Sequence, residues 1–287
     1  MAPRNSKVIL MLGIDEKLTR LIGYSRVAFD TAQASQAWAS KLQWFLAAIG
    51  AIAVFLPGET WAMIMAGLSF MGALVITGLG LRQRKFRRYG ERVRRATLLA
   101  KGLGHELSAH EYRRIEAGFE GDAESVAEKA DGKYYASALP LGEGRLIENL
   151  YQSAFWSEDL YRHSSKRAWI RFGAMMVAVI IIVIMTMPFL DGDMEIVLSR
   201  VVLVIMTLLV SREIFGDAMD YAAAQHEVEL ILERLETLKD KADKTADLML
   251  ILGDYNASVQ SAPMPQSGVY EARRASITKA WDAHKAS

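Results

Sequence analysis

Phe172-Gly-Ala-Met-Met-Val-Ala-Val-Ile-Ile-Ile-Val-Ile-Met-Thr-Met-Pro-Phe-Leu190 runs nineteen residues without a charged side chain. At about 1.5 Å per residue, a helix of this length comes close to the roughly 30 Å bilayer core. A buried helix of a soluble protein rarely stays apolar around its whole circumference for so long. The stretch reads as a membrane span, and the rest of the chain is read outward from it.

Three further spans emerge by the same reasoning. Leu42–Leu56 holds fifteen uncharged residues and ends at Pro57-Gly58, a tight-turn pair leading to Glu59. Trp38 and Trp44 stand at its entrance as interfacial anchors. Thr60–Leu81 is twenty-two residues without a charge. Its small residues Ala62, Ala66, Ser69, Ala73, Thr77 and Gly80 share one helical face, and small faces let membrane helices approach closely. The expected use is packing against the first span in a hairpin; a pore-lining face is the alternative. After Pro188, Asp191-Gly192-Asp193 makes a turn and Ile196–Ser211 is the fourth span. Arg200 lies inside it, five residues past Glu195, so about 7 Å from the turn. It reads either as a side chain snorkelling to lipid phosphate or as a pore-lining cation that prefers anions.

Composition agrees with a membrane protein carrying sizeable soluble parts. The 287 residues are 52% hydrophobic, and the mean hydropathy is +0.12. A net charge of +1 gives no field to steer nucleic acid, so neither DNA nor RNA is an expected partner. The absence of cysteine excludes disulfides, thiolate metal sites and cysteine nucleophiles. Val8–Leu12 is apolar for only five residues, too short for a secretory signal, and is expected to pack as a short segment on the cytosolic face. Both short turns lack lysine and arginine and carry acids, Glu59 at one and Asp191, Asp193 and Glu195 at the other, whereas the other span ends carry Lys41, Arg82–Arg95, Lys166-Arg167 and Arg212. The positive-inside rule then puts both turns outside and both termini in the cytoplasm.

Between the spans the chain reads as helix. Asp15–Lys41 has no proline and carries an apolar stripe through Leu18, Ile22 and Phe29. Eight of the fourteen residues Arg82–Arg95 are basic and one is acidic. They read as a headgroup-attracted cluster, or as a surface for a polyanion such as a nucleotide. In the insert Ala96–Gly144, Ser108-Ala-His-Glu111 is a capping box opening a helix to about Ala117, and Gly118, Gly121 and Gly132 punctuate the stretch beyond it. His105 and His110 are five apart, not the four a zinc-binding helical pair needs, so neither metal nor cofactor is expected. Leu139–Gly144 is a loop, and a long helix runs from Arg145 into the third span.

After Arg212, residues Tyr221, Ala224, Val228, Ile231, Leu235, Leu238, Ala242, Thr245, Met249 and Leu252 alternate spacings of three and four. That predicts one coiled-coil helix whose seam meets either the chain's own Asp15–Lys41 helix or another copy. Ile231, Leu235, Leu238 and Met249 are the candidate oligomerisation residues. Gly253 is the expected helix stop, Asn256–Gly268 a linker, and Val269–Lys285 a terminal helix with Tyr270, Ile277 and Trp281 on one side. The boundaries are therefore 1–41, 42–81, 82–167, 168–211, 212–252 and 253–287. Ser40-Lys41-x-x-Trp44 and Ser165-Lys166-x-x-Trp169 lead the two hairpins alike, which suggests a parallel duplication of a helix–span–turn–span–helix unit.

No phosphate-cradling glycine loop, HEXXH motif or nucleophile elbow is present, so an enzyme is not expected. The spans contain no Asp, Glu, Lys or His, which argues against an ion-coupled pump. Ser69, Ala73, Thr77 and Arg200 are the residues left to line a passive pore.

The segment Tyr134-Tyr135 … Leu139-Pro140 … Arg145-Leu-Ile-Glu-Asn-Leu-Tyr-Gln152 … Trp156-Ser-x-x-Leu160, followed by a span pair, resembles the second half of four-transmembrane-helix effectors of bacterial conflict systems, the SMODS-and-SLOG-associating kind. The chain thus reads as an all-α, multi-pass membrane protein, and the resemblance implies a place in the bacterial inner membrane as an effector encoded beside a nucleotide second-messenger synthase. It also implies an anti-phage effector that assembles as a homo-oligomer and breaches the bilayer when a nucleotide messenger, such as a cyclic oligonucleotide, or a cytosolic partner protein signals infection. Arg145, Tyr151, Trp156, Arg162 and Lys166 are the candidate ligand contacts. A membrane-anchored scaffold that docks a partner through its coiled coil, without conductance, is the alternative.

Overall fold

The computed structural model describes residues 4–53, 59–132, 134–135, 137–186, 202, 215–239, 241 and 244–286. Eight helices lie among them, with no strand: α1 (Arg4–Ala53), α2 (Glu59–Leu103), α3 (Ala109–Ala117), α4 (Ala123–Lys129), α5 (Glu143–Thr186), α6 (Asp217–Leu238), α7 (Thr245–Ser261) and α8 (Val269–Ala286). Two of them, α2 and α5, are long and apolar enough to cross a membrane. Both proposed turns, most of the fourth span including Arg200, and Ala242 lie outside the described residues.

The chain separates into apolar rods and a helical head. In α1 and α2 the polar and apolar stretches form single uninterrupted helices of 50 and 45 residues, because no proline or glycine pair breaks either one. They lie antiparallel: Phe29 packs on Gly90 in the head, and Leu46 packs on Gly72 in the rods. At Gly72 the two helices are in tight contact, since a Cβ there would overlap the Leu46 side chain.

This contact corrects the expected role of the small-residue face. Ala66, Ser69, Ala73 and Thr77 are exposed, while Gly72, one position off their stripe, is buried against α1. A helix repeats every 3.6 residues, so a one-residue offset turns the contact face by about 100°. The packing face follows Met65, Gly72, Ile76 and Leu79, and the small stripe points elsewhere.

In the head, α3 and α4 clasp the α1–α2 pair. Leu21, Tyr24, Val27, Val93, Ile115 and Val126 form one core cluster. Ser108 caps α3 as its sequence predicts, its hydroxyl accepting from the Glu111 N–H at 3.1 Å. His105 lies before that cap. Ion pairs of Lys129 with Asp30 and of Arg26 with Asp131 (3.1 Å) fix α4 and the loop after it to α1.

The second half builds a larger core on α5. Antiparallel pairing with α6 is read from Trp169 on Phe215, Tyr161 on Tyr221 and the Tyr151–Glu236 hydrogen bond. Gly142, at φ 144°, lets the loop turn into α5, and its N–H donates to the Gly102 carbonyl, joining the halves. The helix begins at Glu143, two residues before Arg145.

The single coiled-coil helix is not what forms. The seam from Tyr221 to Leu238 is buried as spaced, but it packs within the chain, in the core built on α5, not on Asp15–Lys41. The helix then ends at Leu238, and α7 folds back with Leu248, Ile251, Leu252, Tyr255 and Val259 inward. Thr245 and Met249, in register with the seam on paper, are exposed. Gly253 lies inside α7, so it stops nothing, and the linker shortens to 262–268. Helix α8 matches its prediction, with Ile277 and Trp281 buried and Tyr270 half-buried.

Candidate functional site

Two features stand out physically: bare apolar rods and a buried polar centre in the head.

Along α2, Trp61, Met63, Ile64, Leu68, Phe70, Met71, Leu74 and Val75 are all exposed; along α5, so are Ile170, Val177, Ile180, Ile181, Ile184 and Met185. Contiguous apolar surface on this scale is abnormal for a water-soluble monomer and marks contact with lipid or another protein. Val179 is the exception, buried among Phe172, Met175, Met176, Val183 and Val202. Thr77 hides its hydroxyl by donating to the Ala73 carbonyl at 2.8 Å, while Ser69 and Ala73 are open.

The head holds its charge inside. Arg94 is 8% exposed and Glu91 4%. The Arg94 guanidinium donates twice to Glu91 Oε2, at 3.0 and 2.7 Å, and once to the Tyr255 hydroxyl at 3.0 Å, which is also 2.9 Å from Ser157 Oγ. Burial is the largest influence and opposes the charge on Arg94, but the Glu91 carboxylate together with the Tyr255 and Tyr135 phenols outweighs it and holds Arg94 protonated, well above its ordinary range. Nearby, Arg87 donates to the Val259 carbonyl (2.7 Å) and to that of Ala262, tying α2 to the end of α7. The basic run is thus split by the helix: Arg87 and Arg94 hold the head together, while Arg82, Arg84, Lys85, Arg88 and Arg92 face outward.

The five candidate ligand contacts on α5 do not converge. Lys166 lies about 32 Å along the helix from Arg145. Arg145 and Trp156 share one face, and Tyr151 and Arg162 another about 120° away. Tyr151 is engaged within the fold: its hydroxyl donates to Glu236 at 2.6 Å, Lys239 Nζ lies 4.6 Å from its ring centre, and His284 stacks on it. Burial, then the Glu236 bond, raises its hydroxyl well above the ordinary tyrosine range. Arg162 pairs with Glu158 at 2.6 Å, and Lys166 is exposed.

The Arg145 face carries a feature that patterning missed. Asn149 is fully buried, and neither its amide nitrogen nor its oxygen is hydrogen-bonded; Arg145 Nε and Trp156 Nε1 are buried and unbonded on the same face. The other residues missed were Glu91, Arg94 and Tyr255. Their one visible signal was a lone acid in a basic run, three residues before an arginine, a spacing that places both on one helix face.

Of the candidate oligomerisation residues, Ile231, Leu235 and Leu238 are core residues of the single chain, and only Met249 is exposed. Among the described residues no group of three or more His, Asp or Glu side chains could hold a metal ion.

The class these observations define is an all-helical protein with two helices apolar enough to cross a membrane and a separately packed helical head. Comparison with family models, with curated proteins and with solved structures finds no match to this chain.

Proposed function

We propose that the chain is a multi-pass membrane effector of a bacterial anti-phage system. Four spans form two like-oriented hairpins in the inner membrane, and both termini lie with the head in the cytoplasm. Copies assemble into a membrane-breaching pore when a cyclic-nucleotide messenger or a partner protein engages the head.

The observation that carries this reading is the unpartnered small-residue stripe on α2. Ala66, Ser69, Ala73 and Thr77 are exposed on a helix that is otherwise sheathed in Trp, Met, Ile, Leu and Phe. In lipid, large side chains face acyl tails, and small ones mark where another helix approaches. No helix of the chain uses this stripe among the described residues, which favours a second copy as its partner. The coiled-coil scaffold loses its main support, because the seam up to Leu238 is consumed inside the chain.

The test is membrane potential, followed by dye, in cells carrying the protein and its genomic neighbours, before and after phage challenge. The expected result is rapid depolarisation after challenge only, abolished by Ala73→Phe in a protein still found in the membrane. Unchanged potential in wild-type cells, or unaltered depolarisation in Ala73→Phe, refutes the proposal. Cysteines placed at Glu59 and Asp193 and labelled from outside the cell test the orientation.

A further inference from the structure

Where the rods of α1 and α2 meet the head, they leave a groove of about 420 Å³ lined by Trp38, Lys41, Leu42, Phe45, Val75 and Leu79. Five of the six lining residues are apolar, and Lys41 is the lone cation. It is exposed, with Nζ 5.0 Å from the Trp38 ring centre. The register of the antiparallel pair matters here. Leu46 meets Gly72, so Lys41 and Trp38 fall at the head end of the groove, and α2 leaves it through Leu79 towards Arg82. Arg82 is exposed, its guanidinium 5.7 Å from the Phe86 ring, with Arg84 and Lys85 exposed beside it. The groove is therefore apolar along its length and cationic at one end.

That polarity matches one chemical class. An acyl chain fills an apolar slot that has no polar group to satisfy, and a phosphate finds Lys41 and Arg82 at the boundary. Basic pockets between membrane helices on the cytoplasmic side take anionic lipid headgroups in this way. The tryptophan at the mouth suits the headgroup level, where an amphipathic ring is at home.

We infer that the α1–α2 groove is a binding site for one anionic phospholipid, with its acyl chain against Phe45, Val75 and Leu79 and its phosphate held by Lys41 and Arg82. This rests on the membrane placement of α1 and α2 proposed above. The groove lies on the α1 side of α2, away from the small stripe, so lipid and neighbouring copy occupy different faces.

The experiment uses the full chain, first floated with vesicles, then released from nanodiscs of equimolar phosphatidylglycerol and phosphatidylcholine with identical chains into native mass spectrometry. Wild type is expected to retain one phosphatidylglycerol per chain in preference to phosphatidylcholine. Lys41→Gln should cut that preference about fivefold, the effect of one basic residue near an anionic surface, and Lys41→Arg should keep it. Val75→Trp, which fills the slot, should expel both lipids. Glycerophosphoglycerol, a headgroup without chains, should not compete at equal concentration; full competition would mean a phosphate site without a lipid groove. Equal retention of the two lipids, or a preference that survives both Lys41→Gln and Val75→Trp, overturns the inference while leaving the membrane placement intact. Failure to float with vesicles overturns the placement and the inference together.

Discussion

Replacing Arg94 with methionine strands a carboxylate in the middle of the helical head. Arg94 and Glu91 are 8% and 4% exposed, and the guanidinium makes three hydrogen bonds, two to Glu91 and one to Tyr255. Methionine nearly fills the volume, so the cost is electrostatic. Breaking a buried pair by removing one partner costs about 3–5 kcal/mol. An independent bound gives the same range: protonating a glutamate of ordinary pKa, about 4.3, at pH 7 costs about 3.7 kcal/mol at 1.36 kcal/mol per unit. Losing the bond to the Tyr255 hydroxyl adds about 1 kcal/mol. For a chain of this size, each kcal/mol lowers the melting midpoint by roughly 2–4 °C, so Arg94→Met, at about 4–6 kcal/mol in all, should lose roughly 8–24 °C. The assay is thermal unfolding of the detergent-purified protein, followed by circular dichroism. The double variant Arg94→Met/Glu91→Leu removes both charges and should recover most of the loss. A single variant within about 1 kcal/mol of wild type, or a double variant no better than the single one, would refute the reasoning.

The same packing sets other outcomes. Leu235→Asp should unfold the head, not merely disassemble an oligomer, losing at least about 3 kcal/mol, because Leu235 is fully buried in the core of one chain; Met249→Asp, on the exposed side of α7, should leave the melting curve unchanged. Gly72→Val should cost about 1–3 kcal/mol by wedging Leu46 away, whereas Gly78→Val, with open space around its Cβ, should be silent. Asn149→Leu should be neutral or raise the melting midpoint, since it removes a buried amide with no hydrogen-bond partner; a loss above about 1 kcal/mol would mean the amide has partners in solution. Glu158 is held above the usual carboxylate range by burial, against the pull of Arg162. The fold thus prefers its protonated form, and the associated stability is full below the ordinary glutamate value and lost as pH rises through the raised one. Glu158→Gln should therefore match wild type in acid and gain on it as pH climbs above about 4.3, read as melting midpoints from pH 4 to 7.

Much of this architecture can be read from one dimension. Uncharged runs long enough to cross a bilayer are a property of composition, and they set α2 and α5 apart before any contact is considered. The helical state of the head follows from unbroken periodicity, and the α3 cap is purely local: a serine hydroxyl three residues from the N–H it accepts. The seam from Tyr221 to Leu238 marked a buried face correctly for the same reason.

What tertiary structure alone decided is which face meets which partner. Heptad spacing says that a helix is buried along a stripe, not against whom, and α5 won over α1 because it lies antiparallel beside α6. Spacing also continued past Leu238, where the chain turned back and placed Leu248, Ile251, Leu252 and Tyr255 in the same core as the seam. The contact of α1 with α2 falls on Gly72 and leaves the small stripe bare, a choice of about 100° that no periodicity encodes. Arg94 and Glu91 read as part of a headgroup-attracted or polyanion-binding basic run, because charge patterns do not record which side of a helix the core will occupy. Faces and burial are local in sequence; partners depend on residues far apart in the chain, and only the folded structure brings those together.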